Sequence, residues 1–238
     1  MKAKVWEFGE KFVRNFAPEL RSEPKLLRYL LQKRAIQASA DYVYDNMKHA
    51  QFFEIREELY RYVFDQCEIE GLVLELGVHN GNSINYIAKL TGGRVHGFDS
   101  FEGLPHDGKI PDFKSKGSKW YKGKMNEDGR LPSVRENVVL HKGWFDQTLP
   151  DFFESNKECI SVMHIDCDIY SSTKTSLECA KDRLSVGSYI IFDEYLNYFG
   201  WEANEFLAWQ EFVEANAVTY QYVGVANTGA VAIKVTKI

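Results

Sequence analysis

Apolar and polar positions along the chain follow two different periods. Short apolar runs, often β-branched, predict β-strands at 72–76, 94–98, 136–141, 160–165 and 188–193. Between these runs, apolar residues at helical spacing predict helices at 82–91, 147–154, 171–183 and 202–215. Two last apolar runs, joined by Asn227-Thr-Gly229, predict a terminal hairpin. The pattern therefore predicts an α/β fold with a mostly parallel sheet and an antiparallel C-terminal hairpin.

The first 70 residues follow a different pattern. Helical periodicity is found at 26–32 and again at 54–66, so residues 1–70 are predicted to form a helical extension or lid. Residues 71–238 are predicted to form the main domain, with helices on both faces of the sheet. Five β/α units and a closing hairpin fit a seven-stranded Rossmann-like sheet better than a six-stranded dinucleotide-binding sheet.

A long segment at 107–133 interrupts this alternation. It holds seven basic residues, four glycines and the pair Trp120-Tyr121, without apolar periodicity. Long loops in compact domains are usually functional or disordered. Two interpretations stay open, namely a solvated basic loop and a lid over the substrate that attracts anionic groups such as phosphate.

Composition excludes several classes of partner. The 238 residues carry a net charge of −5, so nucleic acid is not expected as a partner. The sequence has no apolar run long enough to span a bilayer, and its first residues lack the apolar region of a secretory signal. The four cysteines show neither paired nor metal-binding spacing. We therefore expect reduced thiols and a cytoplasmic protein that does not contact membranes.

The glycine turn after the first predicted strand indicates a cofactor that contains a nucleoside. Glu75 ends the strand, Gly77 and Gly81 follow, and Asp99 ends the next strand. In open α/β sheets, ligands bind beyond the carboxyl ends of the strands, where a glycine turn lets the backbone approach them closely. An acid at Asp99 is placed to accept hydrogen bonds from two ribose hydroxyls.

The spacing of this turn disfavours a dinucleotide. The glycines stand four apart, whereas the dinucleotide fingerprint is G-x-G-x-x-G. A leading carboxylate suits a cofactor with an ammonium and a sulfonium group, which describes S-adenosylmethionine. Gly143 and Trp144 follow the third predicted strand, where Trp144 would pack either against the adenine or in the core.

Acids also end the last two parallel strands. Asp166 and Asp168 follow one strand, and Asp193 and Glu194 follow the next. The carboxyl ends of parallel strands meet at one edge, where close carboxylates would repel one another without a cation. Mg²⁺ accepts such oxygen ligands and lowers the pKa of a bound hydroxyl. In the alternative interpretation, Asp168 caps the next helix and Glu194 faces solvent.

With these residues assembled, the chain resembles the macrocin O-methyltransferase family, S-adenosylmethionine- and magnesium-dependent enzymes that methylate sugar hydroxyls of macrolides. The resemblance covers about residues 40–215 and is carried by Glu75-Leu-Gly-Val-His-Asn-Gly81, Gly97-Phe-Asp-Ser-Phe-Glu-Gly-Leu-Pro105, Lys142-Gly-Trp-Phe145 with Thr148-Leu-Pro150, His164-Ile-Asp-Cys-Asp-Ile-Tyr170 with Ser172-Thr173, and Ile191-Phe-Asp-Glu-Tyr195. It implies cofactor contacts at Glu75, Gly77, Asp99 and Ser100, and a metal held by Asp166, Asp193 and Glu194.

The expected function is an S-adenosylmethionine- and Mg²⁺-dependent O-methyltransferase acting on a hydroxyl of a sugar or a glycosylated natural product. Asp166 is expected both to contact the cofactor and to take part in catalysis. The general base would be Asp168 or His106.

Three alternatives to this function are kept open. A catechol-type enzyme is disfavoured because Ile169 stands where such sites often carry lysine. A non-catalytic cofactor-binding protein is disfavoured because it has no need for the acids at the strand ends. A dehydrogenase is disfavoured because this sequence lacks the second glycine of the dinucleotide fingerprint. The aromatic residues at 42, 44, 52 and 53 indicate either a homo-oligomer or a lid.

Overall fold

The computed structural model describes residues 23–106 and 122–238. Six α-helices and eight β-strands follow one another in the order α1 (Glu23–Asn46), β1 (Gln51–Phe53), α2 (Arg56–Gln66), β2 (Leu72–Leu76), α3 (Asn82–Leu90), β3 (Val95–Asp99), β4 (Val138–Lys142), α4 (Phe145–Ser155), β5 (Ile160–Ile165), α5 (Tyr170–Ala180), β6 (Tyr189–Phe192), α6 (Glu205–Asn216), β7 (Thr219–Ala226) and β8 (Val231–Lys237). Short 3₁₀ turns at Lys181–Arg183 and Trp201–Ala203 follow α5 and precede α6.

All eight strands form one sheet in the order β1-β7-β8-β6-β5-β2-β3-β4. Strands β2 to β6 are parallel to their neighbours in that set, and β8 is antiparallel to both β6 and β7. The five predicted parallel strands and the hairpin are thus confirmed, with bounds shifted by at most two residues. Within the described residues the sheet has eight strands and not the predicted seven, because β1 adds one at the edge.

Strand β1 corrects the expectation that the first 70 residues are helical throughout. Its three residues pair in parallel with β7, with Phe53 opposite Ala226. A backbone hydrogen bond from Asn227 N–H to the Phe53 carbonyl extends the pairing at 2.9 Å. A strand this short has too few residues to show a period of two, so its sequence gives no signal.

The sheet buries one apolar layer on each face. Successive residues of a strand point to opposite faces, so Leu72, Leu74 and Leu76 enter one layer while Val73 enters the other. The first layer includes apolar residues of α1, α4, α5 and α6. The second includes those of α2 and α3. Helices on both faces, as the sequence predicts, leave the carboxyl ends of the parallel strands as the place for a ligand site.

Parts of two predicted segments lie outside the described residues. These are residues 1–22 of the helical extension and 107–121 of the basic segment, including Trp120 and Tyr121. No helix within 23–106 or 122–238 has the length and apolar character required to cross a membrane. Of the aromatic residues near the N-terminus, Tyr44 and Phe52 are 75% and 57% exposed, whereas Tyr42 packs edge-on against Phe206.

Candidate active site

A cavity of about 330 Å³ opens at the carboxyl ends of the parallel strands. Nine of the residues predicted for the site line it, namely Gly77, Asp99, Ser100, Gly143, Trp144, Asp166, Asp168, Asp193 and Glu194. They come from the ends of β2, β3, β4, β5 and β6, so the parallel sheet brings them together as the sequence predicts. Glu75, Gly81 and His106 are not among the lining residues.

The turn after β2 depends on Gly77. Its φ of 95° is left-handed, and a Cβ there would lie 1.9 Å from the carbonyl oxygen of Asp166. No other residue fits, because that oxygen belongs to the backbone of the neighbouring strand end. The turn after β2 and the end of β5, which both line the cavity, are therefore in direct backbone contact.

Asp99 fixes the same turn from the end of β3. Its Oδ2 accepts hydrogen bonds from the N–H groups of Val78 and His79, each at 2.8 Å, and its Oδ1 accepts one from Phe101 at 2.7 Å. An ionised carboxylate has about four acceptor positions, so three are used by the backbone. Asp99 thus builds the loop and keeps room for one further donor.

Glu75 is fully buried behind the cavity wall. Its Oε1 accepts a hydrogen bond from the hydroxyl of Ser83 at 2.7 Å, and its Oε2 lies 3.4 Å from His164 Nδ1. Ser83 itself lines the cavity. Gly81 has φ 82° and stands at the N-cap of α3, so it starts the helix.

His164 lies in the centre of a buried group of charges. Its Nε2 is 3.0 Å from the hydroxyl of Tyr60 and 3.6 Å from Asp193 Oδ1. Burial alone would lower the pKa of His164, but Asp193 and Glu75 outweigh it and raise that pKa to about 10. The imidazole is therefore protonated at neutral pH, with Glu75 Oε2 facing Nδ1 at ion-pair distance and the Tyr60 hydroxyl at Nε2.

Asp193 is held by a cation of the chain itself. Arg56 Nη1 donates to both of its oxygens, at 3.0 Å to Oδ1 and 2.8 Å to Oδ2, and Tyr60 donates to Oδ1 at 3.0 Å. Although burial opposes the charge, bonding to His164 and the charges of His164 and Arg56 lower the pKa of Asp193 to about 2. Asp193 is therefore ionised.

Asp166 and Asp168 have a different environment from Asp193. Burial, and then the charge of Asp193, raise the pKa of Asp166 well above its usual value. Asp168 is 4% exposed and has a left-handed φ of 62°. Strained backbone of this kind collects at functional sites, where the surrounding structure holds it in place.

Two further acids, Glu194 and Glu205, meet beyond the end of β6. Glu194 lines the cavity, and its backbone N–H donates to Oε2 of Glu205 at 3.0 Å. Glu205 is completely buried at the start of α6, and burial together with the charge of Glu194 raises its pKa well above the usual value. Glu205 was not among the predicted site residues.

His106 belongs to a neighbouring cavity. Its Nε2 is 2.7 Å from the hydroxyl of Ser171, and both residues line a space that shares Leu104, Trp144 and Ser172 with the first cavity. His106 thus stands apart from the acids, unlike Asp168.

The described part of the basic segment contacts the turn after β2. Lys124 and Met125 line the cavity, and the Lys124 carbonyl accepts a hydrogen bond from Leu104 N–H at 3.0 Å. Glu127 Oε1 lies 3.0 Å from His79 Nε2. Residues 122–127 are thus in contact with both the cavity and the turn after β2.

Three side chains that hold the acids were absent from the predicted site. Arg56 and Tyr60 are four residues apart on α2 and so lie on one helix face, and His164 is a polar residue inside a buried strand. A buried polar group needs a partner, so His164 within an apolar run was an available signal. For Arg56 and Tyr60 the i, i+4 spacing alone is too common to indicate a site.

The family comparison agrees with this geometry. The model of the macrocin-O-methyltransferase (TylF) family matches residues 49–233. The chain belongs to this family. This membership agrees with the resemblance found in the sequence, and the match includes both α2, which carries Arg56, and the acids of β5 and β6.

Two curated relatives resemble parts of this macrocin-O-methyltransferase family member. One is 8-demethyl-8-(2,3-dimethoxy-alpha-L-rhamnosyl)-tetracenomycin-C 4'-O-methyltransferase from Streptomyces olivaceus, 29% identical over 143 residues, which are 53% of this chain and 54% of the relative. The other is demethyldecarbamoylnovobiocin O-methyltransferase from Streptomyces niveus, 36% identical over 61 residues, which are 26% of this chain and 22% of the relative. The chain spans about half the length of the first relative.

Solved structures share the fold. The calicheamicin methyltransferase CalS11 is 19% identical, with a TM-score of 0.60 over 90% of this chain and 93% of that chain. The O-methyltransferase NovP is 21% identical, with a TM-score of 0.56 over 76% of this chain and 80% of that chain. Both confirm the predicted methyltransferase sheet.

Proposed function

We propose that this protein is an S-adenosylmethionine-dependent O-methyltransferase that acts on a hydroxyl of a sugar or of a glycosylated small molecule. The observation that carries the proposal is the single cavity in which the glycine turn of β2 meets the acids of β5 and β6. Family membership supports the reaction, and the rhamnosyl group in the name of the tetracenomycin relative supports a sugar as acceptor.

The cofactor would lie along the carboxyl ends of β2, β3 and β4. The turn at Gly77 would let the backbone approach its methionine part, and the fourth acceptor position of Asp99 would accept from a ribose hydroxyl. Trp144, with Ser100 and Gly143, would hold the adenine. Glu75 would act from behind the wall, since its negative charge reaches the cofactor's ammonium group through the cavity-lining Ser83.

A divalent ion fits the acids of the cavity. Ligand atoms of His164, Asp166 and Asp193 lie within 4.8 Å of one another. Asp166 and Asp193 offer carboxylate oxygens, the ligands that Mg²⁺ prefers, while the imidazole of His164 is engaged with Tyr60 and Asp193. Asp166 and Asp193 would hold the ion, and Glu194, from the same cavity wall, would add a third carboxylate. When bound, Mg²⁺ lowers the pKa of a coordinated hydroxyl.

Asp168 is the base we assign to the acceptor hydroxyl. It is buried, lines the cavity and follows Asp166 by two residues, whereas His106 lies in the neighbouring cavity. The hydroxyl oxygen would attack the methyl carbon of the sulfonium as its proton passes to Asp168. The sulfonium leaves as the neutral thioether, so charge is lost at the cofactor and the remaining work is positioning.

The first experiment separates cofactor binding from turnover. Calorimetric titration of S-adenosylhomocysteine, with Mg²⁺ and with EDTA, is expected to give micromolar binding in both. Methyl transfer to rhamnosides is then followed by mass spectrometry for wild type and Asp193→Asn. We expect the variant to lose about a thousandfold in turnover, as in sites that lose an essential charge, and to keep its cofactor affinity within about threefold.

Asp65→Asn serves as the matched control, since Asp65 is exposed and lies on α2 outside the cavity. Its turnover should equal that of wild type. Full turnover in Asp193→Asn would contradict the role of the acids, and absent binding of S-adenosylhomocysteine would contradict the cofactor.

A further inference from the structure

Arg56 occupies the place where the acids of the cavity need a positive charge. It lines the cavity, and its Nη1 contacts Oδ1 and Oδ2 of Asp193 at 3.0 and 2.8 Å. The guanidinium arrives from α2, which packs on the second face of the sheet and precedes every predicted site residue in the chain. The chain therefore carries its own counter-ion for Asp193.

The two oxygens of Asp193 are not equally engaged. Oδ1 faces Arg56, the Tyr60 hydroxyl at 3.0 Å and His164 Nε2 at 3.6 Å. Of these three groups, only Arg56 donates to Oδ2, at 2.8 Å. A cation that approaches Asp193 from the cavity would therefore meet Arg56 at Oδ2, while Oδ1 stays held by Tyr60 and His164.

Arg56 also has a second acid within reach. Its Nε lies 3.8 Å from Glu57 Oε1, and the side chains of Arg56 and Glu57 are 32% and 40% exposed. A guanidinium that left Asp193 would thus keep a carboxylate beside it and could enter water. Moving Arg56 costs less than moving His164, which is completely buried.

We propose that Arg56 competes with the divalent ion for Asp193 Oδ2, so that loading of the metal displaces this arginine from the acid. The inference rests on the proposed metal site and adds to it a residue that sets the affinity for the ion. Two cations on one carboxylate oxygen repel each other, so the guanidinium weakens metal binding as long as it stays in place. In return, it keeps the acid cluster neutralised when no metal is bound.

The test measures metal affinity directly, without turnover. Mn²⁺ is titrated into wild type, Arg56→Gln and Arg61→Gln, with free Mn²⁺ read by electron paramagnetic resonance. Arg61 is the matched control, because it lies on the same helix and donates to the exposed Tyr86 hydroxyl outside the cavity. We expect Arg56→Gln to bind Mn²⁺ about tenfold more tightly than wild type, from the loss of one nearby charge, and Arg61→Gln to match wild type.

Each outcome decides between the two proposals. Unchanged or weaker binding in Arg56→Gln overturns the competition while leaving the metal site in place. An equal gain in Arg61→Gln also overturns it, since the effect would then be one of net charge. Failure of all three proteins to bind Mn²⁺ contradicts the metal site itself, and with it the inference.

A second measurement uses the wild-type protein, in case Arg56→Gln does not fold. The side-chain Nε–H resonance of Arg56 is assigned by its loss in Arg56→Lys and followed by NMR as Mg²⁺ is added. Displacement predicts that the resonance shifts and exchanges faster with water as the site fills. A resonance that stays unchanged while calorimetry reports Mg²⁺ binding would overturn the proposal.

Discussion

Two regions of the same sheet contain a buried histidine, protonated in one and neutral in the other at pH 7. His164 on β5 lies between Glu75 and Asp193, and its pKa is raised to about 10. His96 on β3 is also buried, yet burial and the charge of His141 lower its pKa to about 4. Its Nδ1 is 3.0 Å from Nε2 of His141, whose ring stacks on Phe98.

Burial favours the neutral form of both imidazoles, and only the carboxylates beside His164 reverse that preference. Carboxylates within 4 Å repay the cost of taking the charge out of water, whereas aromatic rings and a second imidazole do not. The carboxylate region lies at the cavity, and the aromatic region packs against Phe152 of α4 behind it. One sheet thus carries a charged region at the cavity and a neutral, aromatic one in its core.

The largest expected effect comes from removing the charge in the cavity region. His164→Gln keeps a polar side chain but leaves Glu75 and Asp193 without their shared cation, and should lower the free energy of unfolding by about 3–5 kcal/mol. His96→Gln should lower it by about 1 kcal/mol, since one neutral hydrogen bond is affected. Urea unfolding at pH 7 measures both.

Equal losses in these two variants would contradict the contrast between the regions. A stable His164→Gln protein would show that Arg56 alone neutralises the acids. Far-ultraviolet circular dichroism checks that each variant retains the native secondary structure before its unfolding is compared with wild type.

The next effect concerns the pH dependence of the aromatic region. In the unfolded chain His96 binds a proton near its ordinary pKa of about 6.5, whereas in the folded protein it does so at about 4. Between these values the unfolded state binds more protons, so stability falls as the pH falls. Wild type should lose about 1–2 kcal/mol more than His96→Gln between pH 7 and pH 5.

Urea unfolding of both proteins at the two pH values isolates this difference, because the other acids titrate alike in each. The same loss in both proteins would mean that His96 is protonated in the folded state, and the proposed contrast with His164 would then fail.

The smallest expected effect comes from a neutral donor in the cavity region. Ser83→Ala removes the hydroxyl that donates to Glu75 at 2.7 Å. It should cost about 1 kcal/mol, as for one buried hydrogen bond, which is well below the loss in His164→Gln. Thr236→Ala is the control, because its hydroxyl bonds Thr219 at an exposed position, and it should leave the free energy of unfolding unchanged. If Ser83→Ala lowered the free energy of unfolding as much as His164→Gln does, hydrogen bonding and not charge would be the main source of stability in this region.

Much of the fold was predictable because its signals are local. The alternation of apolar runs along β2 to β6 reflects burial on both faces, and the acids Asp166 and Asp193 meet because parallel strands end at one edge. The same rule placed Gly77 and Asp99 at the cavity.

The contacts that could not be predicted from the sequence join residues that are far apart in the chain. Arg56 reaches Asp193 across 137 residues, and the residues of β1 pair with residues of β7 that are more than 170 positions later, such as Gly224 opposite Gln51. No period or motif near Arg56 reports such a partner, because the contact is set by how α2 packs on the sheet. The orientation of Glu75 toward His164 was equally hidden, since its motif is typical of a cofactor contact.

The pairing of β1 with β7 has a consequence for the order in which a newly made chain matures. Strands β2 to β6 can pair as they emerge from the ribosome, since each next neighbour is already made or soon follows. Phe53, three residues before Arg56, has its strand partner only after Ala226 has been synthesised. We therefore expect the edge of the sheet that carries Asp166 and Asp193 to form before the strand next to Arg56 is anchored, although the C-terminal hairpin that anchors it supplies none of the described residues that line the cavity.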